Sequence, residues 1–493
     1  MLLLITFAPL LAAVLILLGL PARTTALSAS VLTFLAAMLV FLGFNPSDRG
    51  FQHVTDFPLS ADLRLNFALG VDGLSLTMIL LSAIVLLAAV WFTGEISHHE
   101  NAFYASLLFI AGGAIGAFAS LNLFFFYAFH ELALIPTFLL IGIWGSGNRR
   151  AAAWKVTIYL AVGSFVLLIG LIMLYQAVAP VARSLDLRAI QAAAATGKIP
   201  VGTQSTIYLV LLIGFGTLAS LVPFHTWAPE AYASAPAPAV MLHAGVLKKF
   251  GLYGLLRISL PLLPEGAKQW SNLLLVLLLA NIIYIGLVTI AQRRLDWTLG
   301  YSSVMHMGYI FLGIASGGIL GATGAAMLMF AHGLSIALLF AMTGEIRKRV
   351  PSLDYDAMGG LAKQMPVTAF VFGLATFAAI GLPGFANFPA EIMVLFGAFK
   401  SGVDYQHFHA MQWATVLALW GVVISAVYLL RAYRRTFFGT PAQEVIAASD
   451  INFSVRFPIV LLVGASLFFG FFPQSLARKI TPVFQNSLSL PAK

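Results

Sequence analysis

Five ionisable side chains sit inside long apolar runs. They are Glu131 in "LNLFFFYAFHELALIPTFLLIGIWG", Lys249 in "PAVMLHAGVLKKFGLYGLLRISL", His306 in "LGYSSVMHMGYIFLGIA", His332 in "MLMFAHGLSIALLFAMTGE" and Glu391 in "GLPGFANFPAEIMVLFGAF". A charge near the centre of a bilayer costs about 2.5–3.5 kcal/mol on insertion scales, so each one calls for a partner and a purpose. A buried carboxylate or lysine changes protonation with its surroundings, and a neutral imidazole accepts and donates a proton at once. In chain order the set reads carboxylate, lysine, two histidines, carboxylate, which suits the stepwise passage of protons or other small cations. No nucleophile paired with a base, no metal-ligand spacing and no glycine-rich phosphate loop accompanies it. Conduction is therefore expected, without covalent chemistry and without a metal or cofactor in this chain.

Each residue also has a plainer reading. Glu131 could be a protonated structural carboxyl, and either histidine a packing residue. Glu391 could cap the second half of a broken helix. One of Lys248 and Lys249 could reach an interface, since adjacent helical residues point about 100° apart.

Composition dictates the solvent. Of 493 residues, 60% are hydrophobic and 9% charged, against about one quarter charged in ordinary globular domains. Repeated apolar runs of roughly 20 residues match a hydrocarbon core of about 30 Å. The net charge of +9 is scattered through short connectors, with no basic stripe beside exposed aromatics, which excludes nucleic-acid binding. With no cysteine there is no disulfide, thiolate-bound cluster or catalytic thiol. Met1–Leu20 lacks a basic start and a cleavage site and reads as a membrane helix, with neither a signal nor a transit peptide.

The runs give about fourteen spans, beginning near residues 1, 24, 71, 101, 121, 151, 205, 235, 268, 297, 319, 365, 411 and 456. Arginine and lysine concentrate in the odd connectors, at Arg149, Arg150 and Lys155, at Arg293 and Arg294, at Arg347, Lys348 and Arg349, and at Arg431, Arg434 and Arg435. The positive-inside rule then puts both termini outside. The 180–204 segment is either an interfacial helix or a solvated loop. Pro223 interrupts the seventh span and Gly381–Pro383–Gly384 the twelfth, which frees backbone groups that must be satisfied away from lipid. Two interruptions five spans apart suggest repeated five-helix bundles at 101–262 and 268–437. These would follow three N-terminal helices at 1–100 and precede a connector and last helix at 438–493.

At these segments the chain resembles the antiporter-like M subunit of NADH:quinone oxidoreductase, respiratory complex I. The strings that carry the resemblance are "GVDGLSLTMILL" at Gly70–Leu81, "HELALIPTFLLIGIWG" around Glu131, "VPFHTWAPEA" at Val222–Ala231 and "AGVLKKFGLYGLLR" at Ala244–Arg257. They continue with "YSSVMHMGY", "FAHGLSIALLF", "GLPGFANFPAE" and "LLRAYRRTFFG". The resemblance implies an all-α integral membrane protein of fourteen helices with two inverted five-helix repeats and broken helices 7 and 12, set in a bacterial inner membrane. It implies proton pumping while partner subunits, carrying NAD, FMN and iron–sulfur clusters, oxidise NADH and reduce quinone. Sister antiporter-like subunits and a peripheral redox arm are the expected partners. Glu131 corresponds to the family's fifth-helix carboxylate, Lys249 to its central lysine, His306 and His332 to its relay histidines, and Glu391 to the twelfth-helix acid of the M type. His225, in "PFHTW", and Lys155, at the start of the sixth span, are secondary candidates.

One departure stands out. The family usually carries a lysine seven residues before the histidine of "PFHTW", paired with the fifth-helix carboxylate, and here that position is Leu218. Lys248 or His243 could supply the missing charge. Otherwise the first half-channel is impaired and the subunit is mainly structural. A subunit of a multisubunit cation/proton antiporter, or a membrane arm of a hydrogenase-like or carbon-uptake complex, remains the alternative reading of the same helices.

Overall fold

The computed structural model describes residues 1–48, 50–60, 65–401, 408–440, 449–452 and 456–488. Parts of the 438–493 connector lie outside these. In lipid every backbone polar group must be satisfied within the protein, and the apolar runs accordingly fold as helices. Helices α1 (Leu2–Leu17) and α2 (Ala22–Gly43) are followed by a hairpin of β1 (Gln52–Ser60) and β2 (Leu65–Val71), paired antiparallel. Next come α3 (Gly73–Phe92), α4 (Glu100–Ala119), and α5 (Leu123–Glu131) with α6 (Leu134–Trp144), which together make one span. Helix α7 (Arg149–Val178) leads to the short α8 (Leu187–Ala194), which buries Leu187, Ile190 and Ala193 on one face, as an amphipathic helix in the 180–204 segment would.

The chain continues through α9 (Val201–Leu218), α10 (Trp227–Ser234), α11 (Ala237–Leu262), α12 (Pro264–Gln269), α13 (Ser271–Ala291), α14 (Leu295–Ala315) and α15 (Ile319–Arg347). It ends with α16 (Pro366–Ile380), α17 (Asn387–Lys400), α18 (Ala410–Phe437), α19 (Arg456–Phe471) and α20 (Gln474–Leu488). Among the described residues, ten helices are long and apolar enough to cross a membrane, or eleven if α19 and α20, bent by 69°, count as one. Helices α1 and α16 are apolar but shorter. The described residues make a multi-span, all-α membrane protein apart from one hairpin, which the sequence did not announce.

Among the described residues three helices, α3, α11 and α15, are buried along their whole apolar length, whereas more than half of the apolar stretch of α2, α7 and α18 is partly or fully exposed. On α7 the exposed large apolar residues are Trp154, Ile158, Val162, Phe165, Ile169 and Ile172, at helical spacing. An apolar face of this kind suits lipid or a neighbouring subunit and would be excluded from water. The three buried helices pack against one another and carry the buried lysines and His332.

Both interruptions fall where the proline and glycine signals lie. Between α9 and α10, residues 219–226 leave the helix, with Ser220 in the left-handed region at φ 59° and a cis Val222–Pro223 peptide. The freed groups find specific partners. Trp227 Nε1 donates to Thr217 O at 3.1 Å. The amide of Asn281, fully buried on α13, accepts from Val222 N at 2.8 Å and donates to Ser220 O at 3.1 Å and to Val304 O on α14 at 3.0 Å. Between α16 and α17 the chain turns at Gly381, φ 79°. There Gly381 N and Leu382 N bond back to Ala378 O and Phe377 O, and Ala386 N reaches Ser466 O on α19 at 2.9 Å.

Asn281 is the residue that lets the first break sit in a dry interior. Replacing it by leucine leaves a backbone N–H and two carbonyls without that partner, at about 1–3 kcal/mol each. Asn281→Leu is expected to lower the thermal midpoint of the detergent-solubilised protein strongly. Asn281→Asp, which keeps an acceptor for Val222 N, is expected to lower it less, and equal midpoints for the two variants would contradict this assignment.

Candidate functional site

The two lysines lie in α11, where a π-helical turn at His243–Leu247 and another at Leu255–Ser259 bracket the α-helical stretch Lys249–Gly254. A π turn shifts the angular register of the residues beyond it. Glycines let α11 approach α15 closely, since a Cβ at Gly333 would lie 2.7 Å from Gly245 O. The approach brings Lys249 Nζ to 3.0 Å from His332 Nδ1, and the same ammonium also donates to Ala244 O. Among the described residues His332 Nε2 has no partner. With Lys249 donating, His332 accepts at Nδ1 and keeps its proton at Nε2.

The rings of His332 and His306 lie 5.5 Å apart, centre to centre. His306, on α14, is bracketed by two backbone carbonyls, with Nδ1 2.8 Å from Ser302 O and Nε2 3.0 Å from Ala379 O. A neutral imidazole has one N–H, so only the doubly protonated ring can donate to both carbonyls. The second of them belongs to the last turn of α16, just before its interruption. Beside His306, Ser302 Oγ and Tyr428 OH lie 3.0 Å apart, and Tyr428 OH stands 3.5 Å from His306 Nδ1.

Glu391 lies one turn inside α17 and is buried. Its carboxylate packs against Gly381, where any Cβ would collide with it. Tyr309 and Tyr428 are the phenols within its electrostatic reach. One turn before it on the same helix, Asn387 is fully buried, and neither of its side-chain polar atoms has a partner among the described residues. Lys249, His332 and His306 thus meet in turn across α11, α15 and α14, and Glu391 is buried on α17 against Gly381, two residues past the carbonyl that His306 meets.

Glu131 stands apart from that series. It ends α5 at a half-buried position, and its hydrogen bond comes from Ser164 on α7, with Tyr127 reaching the same pair. Leu218 is buried and packs beside Gly163, next to Ser164, so an apolar side chain occupies the position where the family's lysine is expected. The structure does not bring Lys248 or His243 to Glu131. Lys248 Nζ donates to Ser303 Oγ on α14 at 3.3 Å and lies over the Tyr232 ring, and His243 Nδ1 is 3.2 Å from Tyr232 OH. His130 stacks on Phe250 with ring centres 3.9 Å apart, and neither of its nitrogens has a partner among the described residues. His225 lies buried in the first break, and Lys155 pairs with Glu230 at 2.7 Å near the surface.

Sequence reasoning missed Ser302, Ser303, Tyr232 and Tyr428. The two serines stood one turn before His306 in "YSSVMHMGY", whereas nothing in the α18 sequence marked Tyr428. Among the described residues, no group of three or more histidines and carboxylates is placed to hold a metal ion. Gly381 is a sharp test of the Glu391 geometry, because its left-handed backbone alone disfavours alanine by about 1–2 kcal/mol. Gly381→Ala is expected to lower the thermal midpoint and to move the infrared carboxyl band assigned by Glu391→Gln subtraction, whereas an unmoved band would contradict the contact.

Residues 120–418 match the family described as NADH:quinone oxidoreductase/Mrp antiporter, TM. The chain is 32% identical over 453 residues to NADH-quinone oxidoreductase subunit M of Rickettsia felis, covering 92% of this chain and 89% of that one. It superposes on a chain of respiratory complex I from Thermus thermophilus with a TM-score of 0.90 at 28% identity, covering 99% of both. A chain of the Mrp complex from Dietzia sp. shares the fold, with a TM-score of 0.84 at 20% identity and coverage of 99% of this chain and 97% of that one. From the matched core through nearly its full length, the chain belongs to the NADH:quinone oxidoreductase/Mrp antiporter transmembrane family, where it stands with the M subunits.

Proposed function

We propose that this chain is a proton-translocating membrane subunit of a bacterial NADH:quinone oxidoreductase, and that Lys249, His332, His306 and Glu391 carry the proton. The contact that best supports the reading is Lys249 against His332, a cation at bilayer depth whose side-chain partner is an imidazole and not a carboxylate. An ion pair would lock the charge in place, whereas an imidazole can take the proton and pass it on. The carbonyl bracket around His306 offers the next station. Glu391, beside the interruption of α17, is the terminal one, where water can approach a broken helix.

On this reading the chain folds as fourteen spans with two inverted five-helix repeats, 101–262 and 268–437, between helices at 1–100 and a connector with a last helix at 438–493. The subunit sits in the inner membrane with both termini outside. NADH oxidation, FMN, iron–sulfur clusters and quinone reduction belong to partner subunits, and sister antiporter-like subunits flank this one. The expected outcome in membrane vesicles holding the whole complex is that Lys249→Met and Glu391→Gln each lower the protons moved per NADH oxidised. Variants that kept the wild-type ratio with a fully assembled complex would refute the path.

A second reading concerns the first half. Leu218 and the Ser164-bound, half-buried Glu131 favour an impaired entry there, with the subunit acting partly as a structural link in the membrane arm. On this view Leu218→Lys raises the protons moved per NADH. An unchanged ratio would argue that Glu131 already works without a cation beside it. The Mrp antiporter alternative predicts sodium-dependent exchange in vesicles without NADH.

A further inference from the structure

Lys248 was expected, if anywhere, beside Glu131, but it faces the other way, and this makes the lysine pair unusual in itself. Both side chains are fully buried, at 1% and 0% exposure. Among the described residues their polar contacts are neutral. Lys248 meets the Ser303 hydroxyl and the Tyr232 ring, and Lys249 meets Ala244 O and His332. The titratable groups in electrostatic reach of the pair are His243 on α11, His225 in the first break, His306 on α14 and His332 on α15, with the Tyr232 ring of α10 against Lys248 and His130 of α5 beyond His243. These are imidazoles and a phenol, so no fixed negative charge among them offsets two ammonium ions.

Adjacent residues on one helix hold their charges close, and a medium this dry screens them weakly. Their exits differ. Lys249 leads to His332, while Lys248 leads to Ser303, whose neighbour Ser302 touches both His306 and Tyr428. We infer that Lys248 and Lys249 form a charge switch that holds one ammonium at a time, so that charging Lys248 drives the Lys249 proton onto His332. In that step the Lys249 ammonium becomes an amine and His332 an imidazolium, and the region keeps the same number of protons plus the one that arrived. The pushing charge stands on the same helix as the central lysine, in place of the cation that Leu218 removes. The inference rests on the proton path proposed above.

The test uses vesicles holding the whole complex, with protons moved per NADH read across pH and assembly checked by the amount of complex. Arginine cannot lose its proton, so Lys248→Arg makes the repelling charge permanent. It is expected to cut proton movement as deeply as Lys249→Met. Lys248→Leu removes the pushing charge and is expected to lower the protons moved per NADH part-way, less deeply than Lys248→Arg, with the alkaline limb of its pH profile moved up by about one unit or more. A residue with a merely structural role would show the reverse order, the conservative arginine being tolerated better than leucine.

A Lys248→Arg complex that pumps like wild type while Lys249→Met is defective overturns the switch alone. An unmoved alkaline limb in Lys248→Leu also overturns it, and decides the matter if the arginine variant does not assemble. A normal ratio in Lys249→Met sinks the path and the switch together.

Discussion

A helix that stops inside a dry bundle releases backbone groups that lipid cannot satisfy, and the arrangement of this protein depends on how it meets that demand at two places. At the first break one buried side chain, Asn281, bonds to Ser220, Val222 and Val304, which ties the interruption between α9 and α10 to the helix that carries His306. At the second, a backbone carbonyl from the last turn of α16 is taken by His306 itself. His306 is thus held by the same accounting that permits the breaks. Removing the interruption would take away its second carbonyl, and removing His306 would leave Ala379 O without that donor.

The same economy explains why the charged residues are where they are. Lys249 lies between a backbone carbonyl and an imidazole, and Glu391 rests on a glycine that has no Cβ to exclude it. Among the described residues neither faces an opposite charge, so neither is fixed in its charged form. By contrast, the charges built for permanence are paired. Arg257 meets Asp72, the N-cap of α3, at 2.5 Å, and Asp296 accepts from both Arg294 and Arg347. The protein uses both kinds of buried charge, and the difference between them is the presence of a carboxylate opposite the cation.

Much of this was legible in the sequence. Hydropathy located the helices, since length and apolarity are what a bilayer selects, and Pro223 and Gly381 marked the interruptions because their backbone chemistry leaves few other places for them. The buried lysines, histidines and Glu391 were visible because charge is so rare in these runs. What stayed hidden depended on direction. Sequence alone does not say which way Lys248 turns across two π-helical turns, so its meeting with Ser303 was out of reach. Asn281 looked like one polar residue in an apolar helix, and Tyr428 one aromatic among many. The hairpin of β1 and β2 was missed because its residues read as an ordinary connector between spans.

If a proton resides in turn on the histidines between Lys249 and Glu391, it must leave a spectroscopic trace. The most direct test is time-resolved infrared difference spectroscopy of the intact complex carrying isotope-labelled histidine during NADH-driven turnover. An imidazolium signal is predicted to rise and decay with turnover and to disappear in His306→Phe, where the carbonyl bracket has no ring to hold. Histidine bands that stay unchanged throughout turnover in the wild-type complex would contradict the relay.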